Sequence, residues 1–213
     1  MWTDDELVIG AWSLVLTTFS FRENKIMEIS VWELWLPVVV SGVALFIASW
    51  AAWMLLPHHK KEWGRLPEED AIMNALKSAN IPAGQFMFPC PVTPNDWKTA
   101  DFKAKMQAGP NGNLVVWSGP CSMGKNMACT VLFFLVANFV IAYLAAQALA
   151  PGSDLMKVFQ FVGTAGILTY GTANILNGIW FGRKMVADIV DGIVYGLITG
   201  AIFAAMWPAV AAA

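Results

Sequence analysis

The stretch MVADIVDGIVYGLITGAIFAAMW, residues 185–207, decides the class of this chain. It is long and apolar enough to cross a bilayer, whose hydrocarbon core takes roughly 17–25 such residues as a helix. Its only charges, Asp188 and Asp191, stand three residues apart in the first turns, nearly on one helical face. Asp188, Gly192, Gly196, Gly200 and Ala204 recur every four residues, so one face of this helix is almost bare backbone. Such a stripe lets helices approach closely in lipid, where packing rather than hydrophobicity drives association. A tight internal bundle is the simplest use of it, and a homo-oligomer is the second.

Three further stretches pass the same length test: Leu34 to Leu56, Met127 to Ala150 and Val158 to Phe181. Trp32, Trp35, Trp53, Trp180 and Trp207 lie at or near the ends of spans, where an amphipathic ring is favoured. Composition agrees. Hydrophobic residues make up 57% and charged residues 13%, with a mean hydropathy of +0.56. Soluble domains carry about twice that charge, so much of this surface faces something other than water. The expected fold is a membrane all-α bundle of four transmembrane helices with a small α+β segment between spans one and two. Its divisions are 1–26, an extension or interfacial segment; 27–56, the first span; 57–126, the α+β segment; and 127–213, the other three spans.

Segment 57–126 has its own local signals. Leu66-Pro67-Glu68-Glu69-Asp70 is a helix start, followed by an apolar face of Ile72, Ala75, Leu76 and Ala79, and stopped by Asn80 and Pro82. Thr93-Pro94-Asn95-Asp96 suggests a second start with Thr93 as N-cap. Gln85–Phe88 and Leu114–Trp117 are short strand-like runs among Gly- and Pro-rich turns. This segment holds eight Lys or Arg, and Arg183 and Lys184 join them on the same side. Only Arg22, Lys25 and Lys157 lie opposite, and ten against three puts the large loop in the cytoplasm and both termini outside. A multi-pass inner-membrane protein fits that reading.

Several strings invite chemistry. Gly119-Pro120-Cys121-Ser122-Met123-Gly124-Lys125-Asn126 nearly fits a phosphate loop, but Asn126 replaces the hydroxyl that would hold magnesium, and the next helix is a span. No nucleotide-binding site is assigned. His58, His59 and Glu62, where the first span leaves the bilayer, form a weak metal candidate, because adjacent histidines point apart and no third ligand is near in sequence. No span contains a histidine to ligate haem, so no cofactor is expected. Cys90, Cys121 and Cys129 form no CxxC pair and suit neither a disulfide framework nor a zinc knuckle. A formal charge of −2 offers nucleic acid no basic field. Asn174, Asn177, Arg183, Asp188 and Asp191, with Lys184, gather where spans three and four approach the cytoplasm. Ionisable groups within a span are functional candidates because burying them is costly. Salt bridging to Arg183 or Lys184 at a helix N-terminus would lower that cost.

Leu56-Pro57-His58-His59, Leu66-Pro67-Glu68-Glu69-Asp70, Phe88-Pro89-Cys90-Pro91, Met123-Gly124-Lys125-Asn126 and Ile179-Trp180-Phe181-Gly182-Arg183-Lys184 resemble an uncharacterised family of small bacterial membrane proteins, as does the ending from Asp191-Gly192 through Tyr195 to Trp207-Pro208. The resemblance runs from about Met27 to Pro208; it implies a bacterial source and four spans, and brings neither an established activity nor catalytic residues. On these grounds the expected role is a non-catalytic accessory subunit or scaffold in a membrane assembly, with lipid and a second copy or a larger complex as partners. A small oligomeric transporter using the polar cluster is the first alternative, and a metal-binding membrane enzyme is the second.

Overall fold

In the computed structural model, residues 29–210 are described; the segment 1–26, expected as an extension or interfacial piece, lies outside the described residues. The chain enters its first long helix through a 3-10 turn, Val31–Leu34. Ser30 caps that turn by accepting from the Trp32 N–H, and Glu33 reaches back to the Ser30 N–H, a reciprocal capping box. Helix α1, Trp35–Met54, follows without a break.

The polar segment folds as α2 (Glu69–Ser78), β1 (Gly84–Phe88), α3 (Ala100–Ala108) and β2 (Gly112–Val116). The two strands pair antiparallel, Gly84 opposite Val116 and Phe88 opposite Gly112. The second helix begins later than Thr93 suggests. Asp96 captures the Val92 and Thr93 N–H groups and the Thr93 hydroxyl, closing a turn. Thr99 is the residue that caps α3, accepting from Phe102 N–H. Thr93 imitates a cap in sequence, but its hydroxyl donates to a carboxylate rather than accepting from the helix.

The remaining helices are α4 (Met123–Ala148), α5 (Leu155–Gly171), α6 (Ile175–Phe181) and α7 (Val186–Ala205). Three helical stretches are long and apolar enough to cross a membrane: Val31–Met54, Met123–Ala148 and Val186–Ala205. The expected single helix Val158 to Phe181 is instead broken at Thr172–Asn174. Glycine, threonine and asparagine close together are poor helix formers, and the Thr172 hydroxyl bonds back to Leu168 O at 2.6 Å. The piece beyond the break, α6, turns Leu176, Ile179, Trp180 and Phe181 outwards. Those are residues suited to a membrane–water boundary.

Helix α1 packs against α4 and α7, α4 also against α5, and α5 against α7, so the four helices close a ring. Leu34, Leu45, Ile141, Val162 and Phe203 fill its middle. The outer surface carries exposed Val39, Val43, Ile47, Leu132, Val136 and Val140, the all-round apolar character of a helix bundle solvated by lipid.

The glycine face of α7 is spent inside this ring, against α5. A Cβ placed on Gly196 would sit 2.5 Å from Ile167 N, and one on Gly192 would overlap the Gly171 backbone. Backbone meets backbone at these two positions, so nothing flexible can give way. Gly196→Ala should therefore lower the thermal unfolding midpoint in detergent markedly, with a loss of about 1–3 kcal/mol or more. Gly124→Ala, with open space around it in the first turn of α4, is the control and should leave the midpoint unchanged or slightly raised, since alanine favours the helix. Equal behaviour of the two variants would refute the close contact.

Candidate metal centre

The site begins where α1 ends. Pro57 stops continuation of the helix, and His58–Lys61 forms a single 3-10 turn whose closing bond runs from Glu62 N–H to His59 O at 3.0 Å. In 3-10 geometry residues i and i+3 eclipse. Glu62 thus pairs with His59, not with His58 as an α-helix would have it, and its Oε2 lies 2.7 Å from His59 Nδ1.

Asp191 comes to the same turn from α7. Its Oδ1 is 2.9 Å from His58 Nε2, and its Oδ2 is 3.0 Å from His59 Nε2. The two adjacent histidines do converge, with ring centroids 4.3 Å apart, because one carboxylate with two oxygens sits between them. The third group, absent from the neighbouring sequence, is more than 130 residues away. Trp53, the last-turn tryptophan of α1, stacks on His59 at 3.9 Å and within 8° of parallel, which fixes the plane of the imidazole. Tyr195, one turn after Asp191 on α7, donates its hydroxyl to Asp191 Oδ2 at 3.3 Å.

Asp188 completes the cluster. Arg183 Nη2 lies 3.1 Å from its Oδ2, close enough for an ion pair but not aligned as a hydrogen bond. That oxygen is buried without a hydrogen-bond donor. His59 Nδ1 or Nε2, a Glu62 oxygen and an Asp188 oxygen all lie within 4.8 Å of one another, and so do ligand atoms of His58, His59 and Asp191. His59 is 4% exposed and Asp191 8%.

The ring of His59 lies between two carboxylates, which only accept. Each ring nitrogen therefore has to carry a proton or meet a cation. Burial lowers the pKa of His59, but hydrogen bonds to Asp191 and Glu62, and the charge of both, prevail and hold it above the usual 6.5. Charge balance makes the same demand on the whole cluster. Glu62, Asp188 and Asp191 are three acids, and among the described residues Arg183 is the one permanent cation in ion-pair contact with them. With neutral imidazoles the cluster carries about two uncompensated negative charges, which a dication would cancel.

A cleft of about 720 Å³ opens beside these groups, bordered by His58, Glu62 and Asp191 at one end and by side chains of α1 and α7 along its length. Other sequence candidates lie elsewhere. Asn177 lines a second cleft, of about 350 Å³, against Gln85 and Asn113 of the sheet. Asn174 stands at the N-cap position of α6 without a side-chain capping bond. Gly192, Gly196, Gly200 and Ala204 are buried. Cys90, Cys121 and Cys129 are free and exposed, and the strand ahead of Gly119 belongs to the two-stranded antiparallel sheet. The contributions of Trp53 and Tyr195 carried no sequence signal beyond the interfacial position of Trp53 and the one-turn spacing of Tyr195 from Asp191. No family model, curated protein or solved structure matches the chain. Function is therefore to be argued from the site's own chemistry.

The raised pKa of His59 has a signed consequence. In metal-free protein its contribution to stability is fully present below about 6.5 and is lost as pH rises through the higher folded value. Unfolding midpoints taken in chelator from about pH 6 to about pH 9 should fall more steeply for the wild type than for Glu62→Gln, which weakens one of the partners raising the pKa. Parallel curves would contradict the assigned charge network.

Proposed function

We propose that this chain is a multi-pass membrane protein built around a divalent transition-metal centre, with His58, His59 and Asp191 as ligands. The observation that carries this reading is the convergence of two imidazole nitrogens on one buried carboxylate, at 2.9 and 3.0 Å. Ligands about 2.1 Å from a tetrahedral ion stand about 3.4 Å apart, and the ligand atoms of His58, His59 and Asp191 all lie within 4.8 Å of one another, so local side-chain adjustment would close them on an ion. Glu62 then takes the remaining N–H of His59 and so fixes the tautomer and aim of the ring, as carboxylates do behind metal-bound histidines. Two imidazoles and a carboxylate suit zinc or ferrous iron. Three protein ligands leave a coordination position free, the arrangement of a site that acts on something rather than one that only holds a fold. The ion would supply Lewis-acid polarisation or an activated water.

Two supports for a purely structural, oligomer-building role weaken accordingly. The small-residue face that would join two copies is already packed on α5, and the polar groups at the entrance of α7 face His58 and His59 rather than only Arg183. The metal-enzyme alternative joins Arg183, Asp188 and Asp191 of the polar cluster to the histidine pair in one centre, and leaves Asn174 and Asn177 outside it.

Around this centre the chain crosses the membrane four times. Helix α5, at 17 residues, is about 26 Å long and near the lower limit for a span. The charge asymmetry puts segment 57–126 and the metal centre on the cytoplasmic side, with the termini opposite. Cys90 and Cys121, both exposed in that segment, should react with a membrane-impermeant thiol reagent in inverted vesicles and stay protected in sealed right-side-out cells. The opposite labelling pattern would reverse the orientation.

The metal reading is tested by titrating Zn²⁺ into chelator-stripped protein in detergent free of phospholipid. Wild type should take up about one equivalent. Asp191→Asn and His59→Ala should bind at least about 100-fold more weakly, and Glu62→Gln about 10–100-fold more weakly. Retained helical circular dichroism would show that each variant is folded. Equal uptake by wild type and Asp191→Asn would exclude this centre.

A further inference from the structure

The metal centre sits beside a mostly apolar groove whose deeper part is lined by Ala48, Val194 and Tyr195. Along α7 the groove is lined by Val186, Val190 and Val194, each 44–73% exposed at the outer face of the bundle. Across it stand Ala48 and Ala52 of α1, whose small side chains leave the space between the two helices unfilled. From Val186 to Val194 the groove follows α7 for about 12 Å into the span. Its volume of about 720 Å³ is that of a ligand pocket rather than a packing defect. Water has no partners along such walls, whereas an acyl chain loses nothing by entering them.

The charge at the polar end is equally specific. Lys61 and Lys184 both border the groove, and the Lys184 ammonium donates to the Lys61 carbonyl, which holds its stem across the mouth. Neither lysine is in ion-pair contact with a carboxylate among the described residues. Two cations beside the membrane boundary, above an apolar slot, complement an anionic headgroup with its chain below. The adjacent carboxylates would repel such a headgroup unless a cation stood between them.

We propose that this groove seats one anionic phospholipid, its acyl chain between Val190 and the alanines of α1 and its phosphate held by Lys61 and Lys184 within reach of the metal's free position. The placement of the phosphate at the metal rests on the metal-centre reading; the seating of the chain and the two lysine contacts rests on the groove itself.

The test uses the full chain reconstituted into vesicles of phosphatidylcholine and phosphatidylglycerol, gently extracted, with retained lipid measured by native mass spectrometry. Wild type should carry about one phosphatidylglycerol and prefer it clearly over phosphatidylcholine. Val190→Trp fills the groove from an exposed position, so folding is spared; retention should drop about tenfold while Zn²⁺ uptake stays as in wild type. Lys61→Gln combined with Lys184→Gln should cost about tenfold or more in the preference for the anionic lipid. Removing the metal with chelator should also weaken retention. Wild-type retention in Val190→Trp, or an undiminished preference in the double variant, would overturn the lipid site. Retention indifferent to chelator would overturn the placement of the phosphate at the metal. Failure of Zn²⁺ to bind in lipid-free detergent would instead sink the metal centre, since that titration contains no phospholipid.

Discussion

A carboxylate buried at the end of an apolar helix bundle has to be met by protons or by a cation, and Asp191 imposes that demand on everything around it. Lone burial of such a charge costs several kcal/mol. Two imidazoles and a tyrosine hydroxyl point at its two oxygens. Those imidazoles come from the turn that ends α1, so satisfying Asp191 also ties the first membrane helix to the last. Glu62 and Trp53 then constrain His59 from the other sides. The centre is over-determined for a simple salt bridge, which needs two groups and here has a network of them.

The height of Asp191 relative to His58 and His59 is set by backbone contact deeper in the bundle. Gly192, the next residue, lies against Gly171, and Gly196 lies against Ile167 one turn further on. Side chains cannot adjust where backbones touch, so α7 has essentially one longitudinal position on α5. At the far end, Trp207 Nε1 donates to Ala150 O, and Gly152 N–H donates to Pro208 O. The helix carrying the carboxylate is held at both ends and along its length. Such rigid placement is what a metal centre needs, since ligand positions have to be kept within a fraction of an ångström.

What was legible in the sequence followed from periodicity and length. Three long apolar helices, the helix after Pro67 and the two strands all announce themselves by local pattern. The break at Thr172–Asn174 does not, because hydropathy averages over a few poor helix formers. The cap at Thr99 is hidden for a related reason: Thr93 and Asp96 form a self-contained turn with the same residue types as a helix start. The site divides in the same way. Its acids and histidines are each visible as oddities, a charge in a span and a pair at a span's end. Their meeting is not, because it depends on how α1 and α7 pack and on a 3-10 turn that redirects Glu62 to His59. Trp53 and Tyr195 act only through that packing, and residue type alone cannot assign them.

The boundary position also bears on reactivity. Charges in a cleft with mostly apolar walls are poorly screened, so attraction between a cation and carboxylates is stronger there than in bulk water. The same low dielectric penalises the cluster's excess of carboxylates and so, on the proposed reading, favours a bound cation. Arg183 offsets part of that excess through Asp188 but leaves Asp191 and Glu62 to the histidines. An apolar groove between α1 and α7, with lysines at its mouth, borders the same cluster. The proposed lipid would approach the cluster along the apolar side of this groove, and a water-soluble solute from its lysine-bordered mouth. The site's place at the ends of two long apolar helices, more than any single residue, is what supports the proposed link to lipid.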